Sequence, residues 1–283
     1  MLKPRLASDY DSALTNASFS VLLEVSTVLK SYQEALVLIG GWVPFLTLRD
    51  HGPQDDSFEH VGSIDIDLAV DPALVDDEQY ASIVKLLTDR GYEPDKEILY
   101  RLNRKVPGVD HPIGIDFMTP QPPKGQGKVH RHREVQAKLK ARATPHLEIA
   151  LEQFKLVKIE GDLPEKGGLA ALNIKMADLL AIFALKGRAL GERYKEKDAY
   201  DLYAMARYYG RGVKEVAESL KPHAGGPALK KGLENIREKF DSDQHAGPAW
   251  VANFLGIDES EERARLMQVA YQTMDGVVRG CGL

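Results

Sequence analysis

The sequence predicts a mixed α/β fold of the α+β kind: a small mixed β-sheet flanked by helices, followed by a mostly helical C-terminal domain. Three observations predict it. Up to about residue 175, short apolar runs closed by glycines alternate with segments of helical spacing. From Ala177 onward the chain reads as helix almost throughout. Its 283 residues, 43% hydrophobic and 28% charged, suffice for one large domain or two of ordinary size. The expected domains are therefore residues 1–175 and 176–283.

The elements follow in order. Residues 17–32, "ASFSVLLEVSTVLKSY", carry Phe19, Leu22, Leu23, Val25 and Val28 at helical spacing. "ALVLIGG" (35–41) is a buried-strand pattern ending in two glycines, and "WVPFLTLRD" a short helix with Pro44 in its first turn. After the polar loop "DHGPQDDSFEH" comes "EHVGSIDIDLAV" (59–70), an apolar strand interrupted by Asp65 and Asp67. "DDEQYASIVKLLTDRG" has the acidic start and terminal glycine of a helix. "EILYRLNR" and "PIGIDFM" read as strands, and "LEIALEQFKLVKIEGDLPEKGGLAALNI" as two more around a loop. The helical part comprises "ADLLAIFALKGRAL", "EKDAYDLYAMARYYG", "VKEVAESL", "PALKKGLENIREKF" and "ESEERARLMQVAYQTM".

Composition narrows the function classes. A net charge of −5 argues against a general nucleic-acid binder, although residues 124–142 hold seven Lys or Arg against the single acid Glu134. That stretch can serve as a local RNA-backbone patch. Its "HRHRE" is read as a solvated basic segment, because arginines beside the histidines repel a cation. The lone Cys281 excludes an internal disulfide framework and fits a reducing cytosol. "MLKPRLASDYDSALTNAS" lacks a signal-like apolar region, and no run approaches the ~18 apolar residues of a membrane helix. A cytoplasmic protein without a membrane partner is expected.

The chemistry concentrates around the two aspartates. In a strand, Asp65 and Asp67 share one face while Ile64, Ile66 and Leu68 take the other, which sets the acids about 7 Å apart. Carboxylates so placed repel unless a cation lies between them, and hard oxygen ligands suit Mg²⁺. A solvent-facing acidic edge is the competing explanation. Gly62-Ser63, just before the strand, offers backbone N–H groups and a hydroxyl to phosphate oxygens. Gly40-Gly41 end the preceding strand where a helix begins, a second place for close approach to phosphate. In "PIGIDFM", Asp116 faces away from Ile113, Ile115 and Phe117, and a strand pairing would add it to the cluster. Three acids around Mg²⁺ suit phosphoryl transfer.

A glycine pair after a strand, then Gly-Ser-x-Asp-x-Asp, then a later strand Asp, resembles the DNA polymerase β-like nucleotidyltransferase superfamily. "KGRALGERYKEKDAYDLYAM" (186–205) narrows the resemblance to AbiEii-type nucleotidyltransferases. Lys186, Ala189, Leu190 and Arg193 fill one motif, and Lys197, Asp198 and Asp201 a second. The resemblance covers about residues 35–205, with Asp65 24 positions after Gly41 and an acidic loop between them. It implies the nucleotidyltransferase fold and transfer of a nucleotidyl group from an NTP to an acceptor hydroxyl. That family includes toxins of toxin–antitoxin and abortive-infection systems, some acting on the acceptor end of tRNA.

The expected roles follow. Asp65, Asp67 and Asp116 are catalytic and hold Mg²⁺, with Mn²⁺ as the alternative. Gly40, Gly41, Gly62, Ser63, Lys186, Arg193 and Asp198 bind the nucleotide, in a cleft between the domains. Lys186 and Arg193 lie seven apart on one helix face, fit to grip a triphosphate. Asp198 and Asp201 either position those cations or form an ordinary salt-bridge network. An RNA acceptor and an antitoxin protein are the implied macromolecular partners. A small-molecule or protein-side-chain acceptor, and a non-catalytic nucleotide-binding regulator, are the rival functions.

Overall fold

The computed structural model describes residues 5–55, 57–75, 82–122, 132–136 and 138–283. Residues 124–131 and 137 of the basic stretch, and the start of the helix expected from residue 76, lie outside the described residues.

Helix α1 (Ser12–Val28) precedes strand β1 (Leu36–Ile39), and helix α2 (Trp42–His51) follows the Gly40-Gly41 turn. Strand β2 (Ile66–Val70), helix α3 (Ile83–Thr88) and strands β3 (Glu93–Pro94), β4 (Arg101–Arg104) and β5 (Ile113–Pro120) come next. Strands β6 (His132–Gln136) and β7 (Leu139–Thr144) form one hairpin. Helix α4 (Glu148–Glu152) precedes a longer hairpin of β8 (Phe154–Asp162) and β9 (Leu169–Ala177). Helices α5 (Leu179–Glu192), α6 (Glu196–Tyr208), α7 (Val213–Leu220), α8 (Pro227–Lys239), α9 (Ala246–Leu255) and α10 (Ser260–Gly280) complete the chain. The fold is the mixed sheet with flanking helices and a helical C-terminal part that the sequence predicts.

The chain divides into two compact units. One contains Ser12–Trp42 and Ser63–Asp178; the other contains Val43–Gly62, Leu179–Leu283 and the segment ending at Asp11.

The first unit is built on one sheet with strand order β3-β4-β5-β2-β1-β9-β8, and the β6–β7 hairpin attached through β7 to β5. The central pair, β2 and β5, is parallel, and β1 runs antiparallel to β2. Ile66, Leu68 and Val70 alternate with Asp67 and Ala69, and Ile113, Ile115 and Phe117 alternate with Gly114 and Asp116. The apolar set is buried. Leu36, Leu38 and Leu68 line a small cavity together with Leu22, Val25 and Leu29 of α1, so α1 covers that face and the aspartates project from the other.

Three sequence expectations change in detail. The strand expected over 59–70 begins only at Ile66, so Asp65 sits in a bend just before it. Side chains take the carbonyls that a ladder would use: Ser18 Oγ donates to Ile64 O at 2.7 Å and Ser63 Oγ to Asp65 O at 3.0 Å. "LEIALE" folds as α4 rather than as the start of a strand. Helix α9 arises from "AGPAWVANFL", whose nearly continuous apolar character carries no helical period to read.

The second unit is helical. Helix α6 is its core, with Lys197 through Ala206 all buried. Tyr200 packs on Phe254 of α9, ring centroids 4.7 Å apart, and Phe58 stacks on Tyr208 at 3.8 Å. No helix among the described residues is long and apolar enough to cross a membrane.

Candidate active site

Strand pairing gathers the acids of the sheet unit. Asp67 and Asp116 are direct partners in the parallel β2–β5 ladder. On the outer side of β5, Arg101 of β4 is the partner of Asp116. On the outer side of β2, Ile39 of β1 is the partner of Asp67, with Gly40 immediately after it. One row across four strands therefore reads Ile39, Asp67, Asp116, Arg101, with Gly40 just past the end of β1 and neighbouring strands about 4.8 Å apart.

Gly40 adopts φ +76°, and any Cβ there would collide with the Asp67 carboxylate. The turn thus needs glycine both for its backbone and for the space beside the acid. At the other end of the row, Arg101 Nε donates to Asp116 Oδ1 at 2.5 Å and Nη2 to Oδ2 at 2.9 Å. The same Nη2 lies 3.3 Å from Asp65 Oδ2. Gly114, two residues before Asp116 on the same face, leaves the room: a Cβ there would lie 2.8 Å from Asp65 Oδ1 and 2.9 Å from Arg101 Cζ. Burial works against the Arg101 charge, but its bonds to Asp116 and the nearby Asp65 and Asp67 outweigh it and raise its pKa. The Arg101 and Asp116 side chains are each 11% exposed, whereas Asp65 is 36% exposed.

The donor chemistry at this row suits a hard divalent cation, since Asp65 and Asp67 offer carboxylate oxygens on one face. Asp116 differs because Arg101 already engages both of its oxygens. Among the described residues, no group of three or more His, Cys, Asp or Glu is arranged to hold a metal ion.

Of the glycines expected at the site, Gly40 borders the row. Gly40 and Gly41 lead directly into α2, whose first turn accommodates Pro44 because its missing N–H would lack an intrahelical partner there. Gly62 adopts φ +78°, and its N–H donates to His60 Nδ1 at 3.2 Å. Ser63 is buried and spends its hydroxyl proton on the Asp65 carbonyl, which orients its oxygen lone pairs elsewhere.

The helical unit holds a second cluster. Lys186 Nζ lies 3.0 Å from Asp198 Oδ1 and 2.6 Å from Asp201 Oδ2. Lys197 Nζ approaches Asp201 Oδ1 at 2.8 Å, and Arg193 approaches Asp198 Oδ2 at 2.8 Å. His60 Nε2 also reaches Asp201 Oδ1, at 3.0 Å, while its ring stacks on Tyr200. Because His60 Nδ1 accepts from Gly62, its proton belongs on Nε2, donated to Asp201. Burial opposes ionisation of Asp198, yet Lys186 and Arg193 hold its pKa at about 2. Burial likewise opposes Asp201, which Lys186 and Lys197 keep well below the usual carboxylate range. Lys186 is pushed up by Asp201 and Asp198 despite burial, whereas burial lowers Lys197 to about 8 and His60 to about 4.

The structure therefore brings together Asp65, Asp67, Asp116 and Gly40 in the sheet unit, and Lys186, Arg193, Asp198 and Asp201 in the helical unit. Lys186 and Arg193 differ sharply in access: the Lys186 side chain is 8% exposed and the Arg193 side chain 44%. Two members of these clusters escaped the sequence. Arg101 lies in "EILYRLNR", and only the β4–β5 register makes it a neighbour of Asp116. His60, beside the Gly62-Ser63 turn, meets Asp201 across 141 positions of sequence.

A glycine-bordered pair of carboxylates beside a third strand carboxylate, on a mixed sheet followed by helices, is the arrangement expected of a nucleotidyltransferase. The match to a family model is wider than the motifs: residues 28–270 match "Nucleotidyl transferase AbiEii toxin, Type IV TA system". The chain belongs to this family, and it is a nucleotidyltransferase. Comparison with curated proteins and with solved structures found no match to either.

Proposed function

We propose that the protein transfers a nucleotidyl group from an NTP to a hydroxyl of an RNA acceptor, tRNA-like in character, and acts as a toxin restrained by an antitoxin protein. The observation that carries this reading is the shared β2–β5 rung of Asp67 and Asp116, with Asp65 beside them. Asp65 and Asp67, with Asp116 next to them, are the oxygen donors for Mg²⁺ or Mn²⁺. When bound, the ion would supply positive charge against the triphosphate and the departing pyrophosphate.

The chain's own groups do the rest. Gly40, Gly41 and Gly62 allow backbone to approach phosphate oxygens, and Ser63 adds a hydroxyl. Asp116 faces the acceptor and takes its hydroxyl proton as the acceptor oxygen bonds to the α-phosphorus. The bond from that phosphorus to the β-phosphate oxygen breaks, and pyrophosphate leaves. In the helical unit, Arg193 is the phosphate contact, held by Asp198, with Lys186 and Asp201 behind it. Support for RNA comes from the basic stretch, whose described part exposes Arg133 and Lys140. The buried lone Cys281 is in keeping with a cytoplasmic setting.

The test is incubation of wild type and Asp67→Ala with labelled NTPs, Mg²⁺ and total RNA. Label on RNA with wild type alone is expected. Label only on protein or a small hydroxyl compound overturns the RNA acceptor, and no label on any acceptor overturns the transfer chemistry at this site.

A further inference from the structure

The β5–β7 and β6–β7 registers place a basic and aromatic group on the sheet face that carries the acids, one same-face position beyond them. Met118, two residues after Asp116 on β5, pairs with Arg142 of β7, and Arg142 pairs with His132 of β6. That rung lies about 7 Å along the strand from Asp116. Met118, Arg142 and His132 are all partly open to solvent, whereas Ala141 and Ala143 on the other face are buried. Arg101 and Arg104 are tied into ion pairs, but no side chain or carbonyl among the described residues engages the Arg142 guanidinium. The His132 ring stacks on Tyr100, centroids 5.5 Å apart and planes at 28°, and Leu99 next to Tyr100 is 54% exposed.

An unengaged guanidinium beside stacked rings suits an unpaired nucleotide: the fork binds phosphate oxygens, and a flat ring face accepts any base. The side of the sheet on which this group lies matters. Met118 pairs with Ala69 of β2 on one edge and with Arg142 on the other, so β7 lies on the far side of β5 from β2. Gly40 borders Asp67 from the β1 side. The acids therefore stand between the phosphate approach at Gly40 and the group at Arg142. Exposed Arg133 and Lys140 continue the positive charge along the hairpin, with Glu134 opposite Lys140. We infer that Arg142, Tyr100 and His132 form the acceptor subsite, Arg142 holding a backbone phosphate and the Tyr100–His132 stack an unpaired base of a single-stranded RNA end. This rests on the RNA-acceptor reading above and adds a selection to it, for unpaired ends over base-paired ones.

The experiment is fluorescence anisotropy of the full chain with a short fluorescein-labelled single-stranded oligoribonucleotide, and with the same strand in a blunt duplex. Wild type is expected to bind the single strand about tenfold more tightly. Tyr100→Ala is expected to weaken that binding about tenfold, and Tyr100→Phe to leave it unchanged because the ring face is kept. Arg142→Gln is expected to lower the slope of log affinity on log salt by about one. Lys158→Gln, an exposed charge on β8, is expected to leave the slope unchanged. In the transfer assay Tyr100→Ala and Arg142→Gln are expected to raise the KM for RNA and leave that for NTP unchanged. Equal affinity for strand and duplex, or an equal slope change in Lys158→Gln, overturns the subsite alone. A raised KM for NTP instead assigns the group to the donor nucleotide and also overturns it. Absence of RNA binding and labelling by wild type overturns it together with the RNA-acceptor reading. A second measurement on wild type covers variants that fold poorly: photo-cross-linking to the same strand carrying thiouridine. Cross-links at Tyr100 or His132 are expected, and cross-links that all lie elsewhere overturn the inference.

Discussion

Asp67 and Asp116 stand side by side on one rung of the parallel β2–β5 ladder, although 48 other residues separate them in the chain. Parallel neighbours in register present side chains to the same face, so the pairing alone brings two distant acids side by side. Their mutual repulsion is relieved on one side by Arg101.

Replacing Asp67 by Asn removes a charge from this rung without changing its size. Transfer of labelled nucleotide should fall about 10³-fold, the scale of several kcal/mol of lost transition-state stabilisation. The thermal midpoint should stay the same or rise, since a repulsive charge is gone. A variant with near-normal turnover would remove Asp67 from the chemistry.

Gly40→Ala tests the turn beside it. A side chain at φ +76° is strained, and its Cβ would occupy the Asp67 carboxylate position. A stability loss of about 1–3 kcal/mol is expected in urea denaturation, together with most of the transfer activity. Unchanged activity would mean that the position of Asp67 is not critical.

Lys186→Met leaves Asp198 and Asp201 buried with less compensation. Breaking such a buried pair costs about 3–5 kcal/mol, against about 1 kcal/mol or less for the partly exposed Arg193→Ala. Chemical denaturation of the two variants should show this order. The reverse order would contradict Lys186 as the central cation of the network.

His60 predicts a pH dependence of stability. Its folded pKa of about 4 lies below the ordinary 6.5, so between these values the unfolded chain holds more protons and stability falls on acidification. The groups facing it are Asp201, Lys197 and Lys186. Asp198, at about 2 in the folded state, adds a further loss in the same direction below its ordinary 3.8. Loss between pH 6.5 and 4 should approach about 3 kcal/mol from His60 alone. His60→Gln, which keeps a donor for Asp201 but does not titrate, should flatten this portion of the curve. Denaturation midpoints at pH 7, 5.5 and 4.5 provide the comparison, and an equally steep curve in the variant would assign the effect elsewhere.

The local part of this molecule is legible in its sequence because it depends on spacing. Alternation places Asp116 opposite its isoleucines, glycines end β1, and the Asp198–Asp201 spacing survives folding as a helix face. Arg193, by contrast, lies just past the end of α5 and not on one helix face with Lys186. Asp65 is the instructive miss. Its period-two neighbours promise a strand, but the hydroxyls of Ser18 and Ser63 capture the carbonyls that would have extended the ladder.

By itself, then, the sequence determined the fold class, the resemblance to nucleotidyltransferases and the charged motifs around α5 and α6. Tertiary structure decided which of those charges answer one another. It set Arg101 against Asp116, enclosed Lys186 between two carboxylates and brought His60 to Asp201. The physical reason is that periodicity is a local property of the chain, whereas strand register and the burial of an ion pair arise only when distant segments meet.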